Sequence, residues 1–293
     1  MTTINFEKTN NRLFTIIMNN AQTIGNKKFA DIPIELLEIG EYQRVDFYSK
    51  AKVNGLASNF NKNLMDPLTV SPHPEEGKFY VVNGMHRMEA AKIIGLETIE
   101  CEILQGLSDV PETRLVEEAN IFRKQTIGVE PVSPAAMHKA NIICGDEPSI
   151  TLDNVVKKYG IMYKTNNRKG MCKENVLTGF AKALKTTRVH GTKMIDSIMY
   201  ILNRSMWQME TGGLSNFAIA MIQNLLVYDR EVFDNLDIVA TILKEYSPRI
   251  FKAKAIAKYE RRGVDVACSL YIEDLVSDVL PIERNVHIKY DVA

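Results

Sequence analysis

The spacing of apolar and polar residues divides the chain near residue 110. Before that point, short runs of β-branched and aromatic residues, bounded by turn residues, predict strands. These runs cover residues 32–39, 67–71, 78–82 and 98–104. Apolar residues at helical spacing predict helices at 48–62 and directly after Gly84. The first part of the chain is therefore expected to be a small mixed sheet with helices.

After residue 110 the apolar spacing is helical almost throughout. The predicted helices cover residues 110–127, 133–145, 150–159, 174–187, 192–205, 214–227, 230–246, 249–261 and 266–279. A break rich in Gly, Pro and Ser at 145–149 separates them into two groups. We expect an α+β chain in three parts: a polar N-terminal arm or short helix at 1–30, a mixed domain at 31–147, and an all-α domain at 148–293.

Composition and charge are those of an ordinary globular chain, with 45% hydrophobic and 25% charged residues. The 36 basic and 36 acidic residues cancel, so affinity for nucleic acid has to come from local segregation of charge. The four cysteines show no Cys-x-x-Cys spacing, which argues against zinc ribbons and redox dithiols and fits a reducing cytoplasm. No segment reaches the ~18 uninterrupted apolar residues that a membrane helix needs.

The stretch from Phe79 to Gly95 reads as a strand that runs into a helix through an Asn83-Gly84 turn. His86 and Arg87 then fall in the first helical turn. Cations are unfavourable there by about 0.3–1 kcal/mol unless an anion offsets them, and helix N-termini bind phosphate. The turn therefore indicates an anion site, whereas the alternative is an Arg87 that lies in solvent or pairs with a carboxylate.

An ordered set of segments accompanies this turn. It consists of Glu41-Tyr42-Gln43-Arg44, Asn59-Phe60, Pro67-Leu68-Thr69-Val70-Ser71, Gly77 to Gly84, His86-Arg87, Ala90-Ala91-Lys92, Gly95, Asn120-Ile121-Phe122-Arg123, Ser133-Pro134 and Gly145-Asp146. Over roughly residues 31–160 the chain resembles the ParB/sulfiredoxin superfamily, often called ParB-like nuclease. The resemblance is closest to phage-type and mobile-element members with a helical C-terminal extension. It implies that 31–147 is a ParB-like domain.

The resemblance also implies a nucleotide or phosphate pocket, with a nucleoside triphosphate and Mg²⁺ as its cofactors. The implied binding residues are Tyr42, Gln43, Arg44, Asn83, Gly84, His86, Arg87, Asn120 and Arg123. Two positions depart from the pattern of the partition proteins that bind cytidine triphosphate. Ala119 stands where those proteins have a glutamate that helps to hold the metal, Glu118 is one residue early, and His86 replaces the first of two arginines. These departures argue against nucleotide hydrolysis and leave phosphate binding.

Enzymatic alternatives use the same pocket, and the sequence assigns no catalytic residue. Sulfiredoxin chemistry needs a cysteine where this chain has Met85. A small-molecule kinase would need a carboxylate base, for which Glu38, Glu41 and Glu89 are candidates. A nuclease would need clustered carboxylates, and because none are spaced suitably around 79–95, no metal site is predicted from the protein's own side chains.

Basic residues concentrate between Lys157 and Lys193, where ten lysines and arginines accompany one acid, Glu174. Such a segregated cluster indicates contact with a phosphate backbone, and the alternative is a solvated helix face. The predicted DNA-contacting residues are Lys157, Lys158, Lys164, Arg168, Lys169 and Lys173. A helix-turn-helix over 151–187 is disfavoured, because about a dozen residues separate its helices and the motif has a turn of about 3–4.

The leading hypothesis is a cytoplasmic, DNA-associated ParB-like protein that binds nucleotide phosphate, with no membrane partner and with homodimerisation left open. The alternative is a nucleotide-dependent enzyme: an NTP hydrolase, a small-molecule kinase or a nuclease.

Overall fold

A computed structural model describes residues 2–43, 49–61, 65–125, 134–163 and 174–291. The chain folds into two compact units, Met1–Gly145 and Asp146–Ala293. The first holds a mixed sheet with helices and the second is helical, so the predicted α+β class with a helical C-terminal region is confirmed.

The first unit contains six strands and five α-helices among its described residues. In chain order they are α1 (Thr2–Asn20), β1 (Gln22–Ile24), β2 (Lys27–Pro33), β3 (Leu37–Ile39), α2 (Lys50–Ser58), β4 (Leu68–His73), β5 (Lys78–Asn83), α3 (Met85–Ile93), β6 (Thr98–Ile103), α4 (Pro111–Gln125) and α5 (Pro134–Ile143). The strands form one sheet in the order β1-β2-β6-β4-β5-β3. β4 and β5 pair as the predicted antiparallel hairpin, β4 also runs parallel to β6, and β3 runs parallel to β5.

Alternation along β5 gives the sheet two apolar faces. Phe79 and Val81 belong to the larger core cluster, in which Phe14 of α1 lies 4.7 Å from the Phe79 ring centroid and Met88 of α3 is also buried. Val82 belongs to a second cluster that includes residues of α4 and α5. The strand that leads into the Gly84 turn is therefore fixed from both sides.

Two expectations for the start of the chain differ from the structure. The predicted single strand at 32–39 is wrong: β2 ends at Pro33, which cannot donate to a strand ladder, and a 3₁₀ turn at Ile34–Leu36 follows. The chain then crosses to the other edge of the sheet as β3. In place of the expected arm or short helix, residues 1–30 include the 19-residue α1, together with β1 and the start of β2. Phe14 of α1 contributes to the first unit's core.

The described part of the second unit is helical apart from one short strand pair. Its elements are α6 (Glu147–Lys158), β7 (Met162–Tyr163), β8 (Val176–Leu177), α7 (Phe180–Arg204), α8 (Asn216–Tyr228), α9 (Leu236–Lys244), α10 (Pro248–Lys258), α11 (Val264–Ser277) and α12 (Asn285–Asp291). The predicted break between helices at 187–192 appears inside α7 as Gly191, whose φ of 75° and ψ of −169° interrupt the helix. β7 and β8 stand between α6 and α7, where the sequence disfavours a helix-turn-helix.

The core of the second unit surrounds α8, which packs against α7 and α11. Trp207 is fully buried, and its indole N–H donates to the carbonyls of Leu243 and Tyr246 at 2.8 and 2.7 Å. Its neighbours Met206 and Met209 are about half exposed, at 54% and 48%. Among the described residues, no helix combines the length and apolar character required to cross a bilayer.

Candidate functional site

Gly84 forms the joint between β5 and α3 and is the N-cap of that helix. Its φ of 106° lies in the left-handed region, where side chains are strained. A Cβ at this position would lie 2.4 Å from Leu68 Cδ2 and 3.1 Å from Arg87 Nη2. Among the described residues, no side chain caps the N-terminus of α3. The turn therefore requires glycine, and it leaves the positive end of the helix dipole without a capping side chain.

Arg87 lies over this turn with its guanidinium partly buried. Its Nη1 donates to the backbone carbonyls of Asp66 and, at 3.0 Å, Pro67, which immediately precede β4. Burial lowers the pKa of Arg87 from its ordinary value, and the charge of Asp66 opposes that shift. Among the described residues, no carboxylate is hydrogen-bonded to Arg87. The described hydrogen bonds of Arg87 therefore go to backbone carbonyls, while the carboxylate of Asp66 acts on it through its charge.

His86 connects the starts of two helices. Its Nε2 accepts a hydrogen bond from the backbone N–H of Ser49 at 3.2 Å, and Ser49 is the N-cap of α2. Burial, reinforced by the charge of Lys52, lowers the pKa of His86, which favours the neutral ring that this acceptor role requires. This bond holds Ser49, and with it the start of α2, beside the Gly84 turn.

Tyr42 and Gln43 lie beside β5 but are buried. The Gln43 amide donates to the carbonyls of Val81 and Val82 at 2.5 and 3.4 Å. The Tyr42 side chain has no exposed surface, and its ring centroid lies 5.8 Å from that of Phe122 in α4. Both residues therefore support β5 and its junction with α3, and the structure does not present the Tyr42 side chain to a ligand.

Asn120 and Arg123 lie on α4, one turn apart and both partly exposed. Ala119 and Phe122 of the same helix pack into the cluster that contains Val82 and Tyr42. The structure thus brings the strand before the Gly84 turn and the Asn120–Arg123 segment together through a shared core.

The remaining predicted residues are either outside the described part of the chain or on α6. Arg44, Lys164, Arg168, Lys169 and Lys173 are outside the described residues. Lys157 and Lys158 are exposed on α6 and form ion pairs with Asp153 at 2.6 Å and Asp196 at 2.7 Å.

Two of the three carboxylates considered for a kinase base form ion pairs with lysines. Glu38 pairs with Lys78, and Glu89 pairs with Lys92 at 2.9 Å. Glu41 lies in the turn after β3 and is exposed. The arrangement at Gly84 therefore offers anion binding more directly than proton transfer.

A polar cluster that sequence reasoning missed lies on the β4–β5 hairpin and α4. The buried His73 is 2.7 Å from the buried carboxylate of Glu118 through Nε2, and 3.3 Å from Glu75 through Nδ1. Arg114, whose side chain is only 3% exposed, donates to Glu75. The local signal is the sequence His73-Pro74-Glu75-Glu76 in a hairpin turn, but the contacts to α4 are non-local.

Comparison with protein families matches the ParB N-terminal domain to residues 18–120. Comparison with curated proteins gives no match. The chain carries a ParB-like domain, so the predicted superfamily is confirmed at this level.

Solved structures similar to the chain include the C-terminally truncated chromosome-partitioning protein ParB from Caulobacter crescentus in two complexes. The complex with CTP-gamma-S is 17% identical, with a TM-score of 0.28, and covers 78% of this chain and 98% of that one. The complex with the centromeric parS site is 14% identical, with a TM-score of 0.32, and covers 75% and 98%. A Pnob8-like ParB-N domain is 10% identical, with a TM-score of 0.40, and covers 88% and 99%. At these TM-scores the assignment rests on the family match.

Proposed function

We propose that this chain is a DNA-associated ParB-like protein that binds the phosphates of a nucleotide at the turn from Gly84 to Arg87. The basic stretch that begins at Lys157 contacts DNA in this proposal. The family match over residues 18–120 supports the first part. Location in the cytoplasm, homodimerisation and origin from a mobile element stay predictions.

The observation that carries the proposal is a partly buried cation that is hydrogen-bonded to no carboxylate among the described residues, although the charge of Asp66 acts on it, next to the N-terminus of α3. Backbone carbonyls orient Arg87 but do not neutralise it. An anion at the turn would gain from the guanidinium and from the positive end of the α3 dipole. Phosphate oxygens fit this combination, because an arginine fork binds two of them at once.

Contacts of described residues near this turn support the remaining part of the proposal. Gln43 and Ser49 hold the two ends of the segment that contains Arg44 next to β5 and α3. Asn120 and Arg123 lie on the helix that packs behind Val82. In the proposal, Arg44, Asn120 and Arg123 contact the nucleotide beyond the phosphate held by Arg87, and Mg²⁺ accompanies a triphosphate.

Fluorescence polarisation with labelled nucleoside triphosphates, with and without Mg²⁺, tests the nucleotide half. Arg87→Lys keeps the charge but loses the fork, and Arg87→Ala loses both, so we expect affinity to fall in that order, by about tenfold or more for alanine. Lys92→Ala removes an exposed cation from the other end of the same helix and should leave affinity unchanged. Equal affinity in wild type and Arg87→Ala would contradict the pocket.

Salt-dependent DNA binding tests the second half. Lys157 and Lys158 are themselves exposed, and ion pairs of exposed lysines add little to stability, so these lysines can exchange Asp153 and Asp196 for phosphates. Removing one lysine that binds a phosphate should reduce the slope of log affinity against log salt by about 1. Lys157→Ala and Lys158→Ala should each show that reduction, whereas Lys289→Ala, on α12, should not. A chain that binds neither single- nor double-stranded DNA at low salt would refute this half.

The alternative enzyme shares the pocket, and the same nucleotides distinguish it. Burial lowers the pKa of His86, which favours the neutral form that a general base needs, but its Nε2 already accepts the Ser49 N–H. Phosphate release or transfer that disappears in Arg87→Ala would favour catalysis. Tight binding without turnover would favour the proposal.

A further inference from the structure

The His73 cluster has the composition and geometry of a cation site. One ring nitrogen of His73 and one carboxylate oxygen each from Glu75 and Glu76 lie within 4.8 Å of one another. His73 is 8% exposed, while Glu75 and Glu76 are exposed, so the imidazole is fixed and the carboxylates face solvent.

The buried carboxylate of Glu118 determines how His73 is used. Glu118 Oε1 lies 2.7 Å from His73 Nε2, and its side chain is 1% exposed. An Nε2–H that donates to this carboxylate leaves the lone pair on Nδ1, which lies 3.3 Å from Glu75 Oε1. Arg114 already donates to that Glu75 oxygen, and a metal ion beside Nδ1 would use the lone pair that the ring presents there. A histidine that donates one nitrogen to a carboxylate and offers the other to a metal is the usual arrangement in metalloproteins.

Further contacts hold the remaining groups. The Tyr80 hydroxyl donates to Glu76 Oε2 at 2.8 Å, and the Tyr80 ring stacks on His73 at 4.0 Å between centroids. Arg114 holds Glu75. Glu118 Oε2 is buried without a hydrogen-bond partner among the described residues. Three carboxylates against one guanidinium leave the cluster with excess negative charge.

We propose that His73, Glu75 and Glu76 bind a divalent transition-metal cation of the Zn²⁺ class, with Glu118 as the positioning residue for His73. Mixed imidazole and carboxylate ligands suit Zn²⁺ better than Mg²⁺ or Ca²⁺, which prefer oxygen alone. Three protein ligands leave a position for water. This site is separate from the Gly84 turn and does not depend on the proposed nucleotide function.

Isothermal titration of the full, tag-free chain with Zn²⁺ alone tests the site. Glu76→Gln is the principal variant, because Glu76 is exposed and its loss leaves the core intact. We expect this substitution to reduce the affinity for one equivalent of Zn²⁺ by about tenfold or more. Glu97→Gln, an exposed acid in the same unit and outside the cluster, is the matched control and should bind like wild type.

Two further variants separate ligation from structure. His73→Gln can still donate to Glu118 but lacks the ring lone pair, so this Zn²⁺ equivalent should be lost. Glu118→Gln should retain the equivalent with affinity reduced about 10–100-fold, the usual effect of removing such a support. The visible spectrum of bound Co²⁺ should change in the Glu118 variant, which a merely structural role would not cause.

Equal Zn²⁺ affinity in wild type, Glu76→Gln and His73→Gln would overturn the proposal, because the ion would then bind at another site such as the cysteines. The absence of any Zn²⁺ binding to wild type would overturn it as well. Either result would make the cluster a network of hydrogen bonds and ion pairs without a metal.

Discussion

Two arginines of the first unit are withdrawn from water in different ways. Arg114 is almost fully buried and donates to the carboxylate of Glu75. Arg87 is partly buried, and the described groups that accept its hydrogen bonds are neutral carbonyls. A carboxylate of the protein itself is therefore bonded to Arg114, whereas Arg87 is bonded to neutral groups and can still bind an external anion. The first arrangement contributes to stability, and the second suits ligand binding.

The largest expected effect on stability follows from removing the internally paired cation. Arg114→Ala would empty the space of a side chain that is only 3% exposed and remove its bond to Glu75, which we expect to lower the free energy of unfolding by about 3–5 kcal/mol. Chemical denaturation followed by circular dichroism measures it. Nucleotide affinity of the folded fraction should stay near wild type. A change below about 1 kcal/mol would show that Arg114 is not the stabilising partner.

Gly84→Ala should have the next largest effect. The positive φ disfavours a side chain by about 1–2 kcal/mol, and the new Cβ would meet Leu68. We expect a total decrease of about 2–3 kcal/mol in the free energy of unfolding, measured by denaturation. Gly95→Ala is a control, because Gly95 also has a positive φ but open space around it, so its decrease should be smaller. Equal decreases would assign the whole effect to the backbone.

A third buried charge, in the second unit, is compensated by a proton. Asp229 is fully buried, and its Oδ1 accepts from the Asn285 N–H at 2.9 Å, at the start of α12. Burial and the neighbouring Glu273 raise the pKa of Asp229 to about 7. Because the folded pKa exceeds the unfolded value near 4, stability is fully present below about pH 4 and declines as the pH rises towards 7. Asp229→Asn should flatten that decline in unfolding free energy, and an unchanged profile would contradict it.

Arg87→Ala should have the smallest effect on the stability of the free protein. It removes hydrogen bonds to two partly exposed carbonyls and also relieves the desolvation of a cation, so we expect about 1 kcal/mol. A larger difference between wild type and this variant is expected when nucleotide is bound. Wild type should gain about 2.7 kcal/mol at a nucleotide concentration of 100 times Kd, and the variant should gain much less. An equal gain in both would remove the distinction between Arg87 and Arg114.

Elements that a local pattern decides could be predicted well from the sequence. The period of two at 98–104 corresponds to β6, and Gly191 interrupts α7 where the sequence predicts a break between helices. Prediction failed where long-range contacts decide the outcome. The strand at 32–39 divides because its two halves pair at opposite sides of the sheet. The seven-residue α12 was missed, since its N-terminus is stabilised by Asp229 and Glu273 from outside that helix.

The site shows the same limit. The Asn83-Gly84 turn and the basic residues after it are local, and the sequence indicated them. The burial of Tyr42, the support that Gln43 gives to β5, and the approach of Glu118 to His73 all depend on which elements the fold brings together. Residue types and spacing do not contain that information.

The most direct test of the central claim is a nucleotide titration followed by backbone amide chemical shifts in ¹H–¹⁵N spectra. We expect the amides from Gly84 to Arg87 to shift most and in proportion to occupancy, while those of the hairpin turn at 73–77 stay in place. Saturable binding that leaves the Gly84–Arg87 amides unchanged would contradict it.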